Sequence, residues 1–119
     1  MKGRILVVDD DVGIQECLQI VLETEGYEVF IARDGMQALE MLDATTPDLI
    51  ILDLMMPRMN GYEFVKTLEQ QGRHAHLPII LLTADPHVRK QASQMAVDAY
   101  LMKPFELLDL LDTVEKTLP

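Results

Sequence analysis

The sequence predicts an α/β fold in which helices cover both faces of one five-stranded parallel sheet. Three observations carry that expectation. Five short apolar runs alternate with five stretches in which apolar residues recur every three or four positions. The runs are continuously apolar rather than alternating, the pattern of strands buried on both faces. A length of 119 residues, 49% of them hydrophobic, suits one core and one domain spanning residues 1–119.

Ile5-Leu6-Val7-Val8 is the first strand, closed by the carboxylates Asp9-Asp10-Asp11. Ile14, Cys17, Leu18, Val21 and Leu22 then recur at helical spacing until Gly26 stops the first helix. Tyr27 to Ala32 reads as the second strand, and Met36, Ala38, Leu39 and Leu42 mark a short helix that ends before Pro47. Asp48-Leu49-Ile50-Ile51-Leu52-Asp53 is the most apolar strand; an irregular loop from Pro57 to Gly61 leads into a helix around Tyr62 to Gln71. Pro78 to Thr83 forms the fourth strand, with a helix following somewhere in His87 to Ala96. Ala99 to Met102 forms the fifth strand, and Phe105 to Leu118 the last helix. Strands joined through helices run parallel with right-handed crossovers, so the pattern is a flavodoxin-like (βα)5 doubly wound sandwich.

Charge and cysteine usage narrow the function classes. Twenty acidic against ten basic residues give a formal charge of −10, which disfavours phosphate backbones and anionic membranes and favours cations and basic partners. No basic patch or added helix-turn-helix is visible, so direct nucleic-acid binding is not expected of these residues. The single cysteine, Cys17, allows no internal disulfide and no thiol-pair metal site. The basic start reaches Asp9 after only four apolar residues, too soon for a signal-peptide core, and no apolar run approaches the roughly 20 residues needed to span a bilayer. A cytoplasmic location, without membrane contact, is the expectation.

In an open parallel sheet, ligands bind beyond the carboxyl ends of the strands. That rule selects Asp9 and Asp10 after strand one, Asp53 after strand three, Thr83 after strand four and Lys103 after strand five. Like charges about 4 Å apart repel by ~4 kcal/mol at an effective dielectric of 20, so a divalent cation would relieve the carboxylates. Their oxygens suit Mg2+, or Mn2+, ions that keep coordination positions open for water and phosphate. Asp53 is then a candidate nucleophile toward phosphorus, Lys103 a point charge for a phosphate oxygen, and the Thr83 hydroxyl a hydrogen-bond donor to another. Lys103-Pro104 is a candidate cis peptide, since proline alone makes that isomer accessible at low cost.

Val7-Val8-Asp9-Asp10-Asp11, Asp53-Leu54-Met55-Met56-Pro57-Arg58-Met59-Asn60-Gly61, Leu82-Thr83-Ala84 and Ala99-Tyr100-Leu101-Met102-Lys103-Pro104-Phe105 together resemble the receiver domain of two-component response regulators. The chain resembles single-domain chemotaxis-type regulators among them, and the resemblance covers the whole chain. It implies that Asp53 is the phosphoacceptor, with Asp9, Asp10 and the Met55 backbone carbonyl completing a Mg2+ site. Lys103 becomes the phosphate-pairing lysine, and Thr83 and Tyr100 a switch pair. The implied partners are a sensor histidine kinase or histidine phosphotransfer protein as donor, and a downstream protein or missing output domain as target. The implied output surface is helix four, strand five and helix five, which is also a candidate homodimer face. Such a module is no enzyme toward external substrates, although it is expected to assist its own phosphotransfer and dephosphorylation. Two departures stand out: Thr83 to Tyr100 is shorter than the family pattern, and Ala96-Val97 replaces a usual Gly-Ala. Both point to a short or displaced fourth helix.

Two other functions share these residues. A phosphate-independent docking module would be marked by loss of the acidic pair, the acceptor or the lysine, all of which are retained. A Mg2+-dependent aspartate phosphatase would carry a second aspartate two positions after its nucleophile, where Met55 stands. Several residues have plainer readings. Asp11 is a helix cap, Cys17 a buried inert thiol on the helix stripe, and Met55, Met56 and Met59 core or loop packing. His74, His76 and His87 lack ligand companions, and Arg73, Arg89 and Lys90 are surface charges.

Overall fold

The computed structural model describes residues 2–73 and 77–118, apart from the side chains of residues 88, 89 and 91. His74, His76, Pro119 and the Arg89 side chain lie outside the described residues. Five strands and five helices alternate along the described chain: β1 Arg4–Val8, α1 Val12–Thr24, β2 Glu28–Ala32, α2 Gly35–Thr45, β3 Leu49–Asp53, α3 Gly61–Gln70, β4 Ile79–Thr83, α4 Val88–Ser93, β5 Ala99–Met102 and α5 Leu107–Thr117. The strands form one parallel sheet in the order β2-β1-β3-β4-β5. The expected doubly wound sandwich is therefore the fold.

Strand residues alternate between two apolar layers, which is why the runs had to be continuously apolar. Leu6, Val8, Ile50, Leu52, Ile79 and Leu81 face α2 and α3, where Phe64 and Leu68 are fully buried. Ile5, Val7, Leu49, Ile51, Ile80 and Leu82 face the opposite layer, with Leu18 and Leu22 from α1 and Leu110 and Val114 from α5. Burial of each such side chain stabilises the fold by roughly 1.5–3 kcal/mol.

Local chemistry sets the helix ends. The Asp11 carboxylate accepts the Ile14 N–H at 3.1 Å and caps α1, and Asp34 accepts the Gln37 N–H at 2.8 Å and caps α2. At α3, Asn60 accepts the Glu63 N–H at 2.8 Å while the Glu63 carboxylate accepts the Asn60 N–H at 3.1 Å, a reciprocal capping box. Asp11→Ala is expected to lower stability by about 1 kcal/mol, read as a lower denaturant midpoint at unchanged slope. An unchanged midpoint would mean that the Asp11 cap contributes nothing.

Some element ends and two burial expectations are corrected. The fourth helix, Val88–Ser93, lies within its expected span and is short as expected, whereas the last begins at Leu107 rather than Phe105, whose ring packs against the α1/α5 layer. Tyr27 precedes β2 but is buried. Cys17 is exposed, because the buried stripe of α1 centres on Leu18 and Leu22 and position 17 falls beyond its edge. The Met55 side chain is exposed as well, whereas Met56 and Met59 pack against the α2/α3 layer. Among the described residues, no helix is long and apolar enough to cross a membrane.

Candidate functional site

The parallel register pairs Val8 with Leu52 and Leu82 with Asp53, so the residues that end β1, β3 and β4 lie side by side at one sheet edge. Reversal of the chain's winding between β1 and β3 opens a crevice at that edge. Asp9 is fully buried, Asp53 is nearly so, and Asp10 is exposed at the rim. Ligand oxygens of these three carboxylates lie within 4.8 Å of one another.

Lys103 reaches this group from the end of β5. Its ammonium donates to Asp9 Oδ2 at 3.0 Å and stands 3.4 Å from Asp53 Oδ1. The Lys103 N–H bonds the Thr83 carbonyl at 2.8 Å, which ties β5 to the end of β4, and the Lys103-Pro104 peptide is cis. Thr83 is fully buried, and its hydroxyl accepts the Asp85 N–H at 3.0 Å. Tyr100 is half-buried against the α2/α3 layer. Met55 lies two residues beyond Asp53 and turns its N–H toward Asp53 Oδ1 at 3.4 Å. Asp9 Oδ1 accepts the Asp11 N–H at 2.9 Å, and the Gln15 side chain donates to the Asp9 carbonyl at 2.6 Å. Both bonds fix the end of β1. The candidate residues are thus brought to one edge, apart from Tyr100, which lies along β5 nearer α4.

The electrostatics follow from that crowding. Burial, then the negative charge of Asp9, push the Asp53 carboxyl from 3.8 up to about 6, against the opposing pull of Lys103 and the Met55 N–H. Burial is also the largest influence on Lys103, pulling its pKa down. Its hydrogen bond to Asp9 and the charges of Asp53 and Asp9 outweigh that and leave the ammonium above its ordinary value. One ammonium faces three carboxylates, so a divalent cation would complete the charge balance. The hard oxygen donors present, with Asp10 at the solvent rim, fit Mg2+.

The loop after Asp53 is held tightly. The Leu54 N–H bonds the Leu82 carbonyl at 3.0 Å, and the Gly61 N–H returns to the Leu54 carbonyl at 2.9 Å. A Cβ on Gly61 would stand 2.7 Å from the Asp53 carbonyl oxygen, so only glycine permits this approach. Between these anchors Arg58 adopts φ +64° while the Met59 N–H bonds the Pro57 carbonyl at 2.7 Å, an unfavourable backbone for a residue with a side chain, by about 1–2 kcal/mol. Its guanidinium forks onto Asp34, with Nε 2.9 Å from Oδ2 and Nη2 donating to Oδ1 at 3.1 Å. Burial works to raise the Asp34 pKa, but the Gln37 N–H, the Arg58 fork and the charge of Arg33 together hold it below the usual carboxylate value. Neither partner of this pair stands out in the sequence. The Asp34-x-x-Gln37 spacing signals a cap, but nothing local signals a partner 24 residues away.

A family pattern described as the response regulator receiver domain matches residues 5–115. Response regulator MprA of Mycobacterium ulcerans is 44% identical over 113 residues, 93% of this chain and 48% of that protein. The chain thus spans about half the length of the curated relatives it matches. Among solved structures, Vibrio cholerae chemotaxis protein CheY4 aligns with a TM-score of 0.89 at 34% identity, covering 99% of this chain and 100% of that one. Response regulator TrrA from Thermotoga maritima, in complex with Mg2+-BeF, aligns with a TM-score of 0.86 at 41% identity, covering 99% and 100%.

Proposed function

Because this chain belongs to the response regulator receiver domain family, a family of signalling modules switched by phosphorylation, we propose that Asp53 accepts a phosphoryl group and that residues 1–119 act as one receiver unit. The observation that carries this reading is the position of Asp53. It ends a fully buried central strand, beside the Asp9 and Asp10 carboxylates and 3.4 Å from the Lys103 ammonium. The proposed donor is a histidine kinase or a histidine phosphotransfer protein.

An Asp53 carboxylate oxygen forms the new O–P bond as the P–N bond to the donor histidine breaks, and the electron pair of that bond stays on the imidazole nitrogen of the donor protein. Asp9, Asp10, Asp53 and the Met55 carbonyl would hold Mg2+, which would supply positive charge against the phosphoryl oxygens. Lys103 turns from Asp53 toward one of those oxygens, keeping its ammonium charged through its bond to Asp9. The Thr83 hydroxyl donates to another. Because that hydroxyl also holds the Asp85 N–H, its movement draws in the segment leading to α4, and Tyr100 follows. The α4, β5 and α5 surface then changes its affinity for a protein target, a linked output domain or a second copy of the chain. Moving such an equilibrium from 1:99 to 99:1 requires ~5.5 kcal/mol of differential stabilisation, and smaller shifts still signal.

The test is intact mass after incubation with a small phosphodonor and Mg2+, run beside Asp53→Asn and a chelator control. One phosphoryl adduct is expected, absent in both controls. No adduct under conditions that label another receiver would turn the reading to a phosphate-independent docking module.

A further inference from the structure

We propose that Asp34 and Arg58 are positioning residues for the cation and phosphoryl site, a bidentate ion pair that locks the loop carrying Met55 against the end of β3. This rests on the reading of Asp53 as the centre of a Mg2+-assisted phosphoacceptor site. Neither residue touches the three acidic ligands, and both act through the loop.

Residues 55–60 begin at Asp53 and return at Gly61, whose N–H bonds the Leu54 carbonyl. Between those points the loop is fastened to the α2 side of the fold at one place. There the Arg58 guanidinium grips both oxygens of Asp34, and the Gly35 N–H bonds the Met59 carbonyl at 3.3 Å. The fit is close: a Cβ on Gly35 would meet Met59 Cγ at 2.8 Å and its carbonyl oxygen at 3.0 Å. Arg58 holds a strained left-handed backbone at the turn centre, and strain of this kind persists only where surrounding contacts over-determine it. The planar fork of an arginine on a nearly fully buried carboxylate is such a contact. Arg33, 3.9 Å from Asp34 Oδ2 and mostly exposed, is too distant to replace it. If the fork lets go, the turn relaxes and Met55, whose N–H faces Asp53 Oδ1 at 3.4 Å, is no longer held beside Asp53.

Two substitutions separate this role from helix capping. Asp34→Asn keeps a side-chain oxygen for the Gln37 N–H but loses the ionic fork, and Arg58→Gln removes the fork from its half-exposed side. Mg2+ titration by calorimetry should show an about tenfold weaker affinity in each, the range typical when groups supporting metal ligands are removed. The double variant should be no weaker than either single, because both remove one interaction. Arg58→Lys, which restores a charge without the fork, should fall between. Amide hydrogen exchange at Met59 and Gly61 should quicken in both single variants without metal.

Unchanged Mg2+ affinity with only a lower melting temperature would overturn the proposal and leave the pair a structural tie. Should Asp34→Asn fail to fold, the Arg58→Gln and Arg58→Lys pair decides alone. A parent chain that binds Mg2+ but takes no phosphoryl group would sink the phosphoacceptor reading, while the affinities still decide the role of the latch. A parent that binds no Mg2+ overturns both.

Discussion

Gly61→Ala is expected to destabilise the chain by about 3 kcal/mol and to weaken Mg2+ binding at the same time. Helix propensity alone predicts the opposite sign, since alanine is favoured over glycine in a helix by about 1 kcal/mol. The contact decides. The added Cβ would stand 2.7 Å from the Asp53 carbonyl oxygen and 2.9 Å from the Leu54 Cα. Both are backbone atoms at the end of a strand hydrogen-bonded on both sides, so no side chain can swing away. Either α3 lifts from the sheet or Asp53 shifts, and both outcomes disturb the carboxylate cluster. Gly72→Ala is the control, because its φ of +72° carries strain but no atom lies within 4 Å. It should lower stability by about 1 kcal/mol and leave Mg2+ affinity alone. Denaturant midpoints and Mg2+ titrations on the two variants make the comparison. A Gly61→Ala chain as stable as the parent would show that the approach of α3 to Asp53 can yield.

The fold was legible because a parallel sheet covered on both faces keeps polar residues to the ends of its strands. Ile5 to Val8, Leu49 to Leu52 and Ile79 to Leu82 could be little else once helical spacing was found between them. The site was legible for a related reason: the topology gathers strand-end residues at one edge, so Asp9, Asp10, Asp53, Thr83 and Lys103 needed no long-range information. What depended on tertiary contact was not legible. Cys17 lies at spacings that fit an apolar stripe, yet the stripe's burial depends on where the sheet meets α1, and only Leu18 and Leu22 are fully covered. The Asp34–Arg58 fork joins two loops 24 residues apart, and each residue alone has an ordinary local explanation, a cap for one and a solvated charge for the other. The shortness of α4 was visible in the residue count between Thr83 and Tyr100, although its limits at Val88 and Ser93 were not.

Asp53 itself should be a stability liability whenever no cation is bound. With its carboxyl raised from 3.8 to about 6, first by burial and then by Asp9, the folded chain binds more protons than the unfolded chain between those values. Stability associated with this group is therefore fully present below about pH 4 and lost as pH rises toward 6. At pH 7 the whole deficit applies. A shift of that size has a ceiling of ~3 kcal/mol, and about 2 kcal/mol is the expected effect once coupling to Lys103 and Asp9 is allowed for. Asp53→Asn replaces the carboxylate with a neutral group of nearly the same shape, so in chelator at pH 7 the variant should be more stable than the parent by that amount. The two curves should converge near pH 4, where both side chains are neutral. Added Mg2+ should reverse the order, because a cation at 100 times its Kd stabilises the parent by about 2.7 kcal/mol and the variant has lost a ligand. Urea midpoints at pH 4, 5, 6 and 7, with chelator and with Mg2+, measure all three features. A variant no more stable than the parent at pH 7 without metal would mean that Lys103 already offsets the burial of Asp53, and that the site needs no cation for its charge balance.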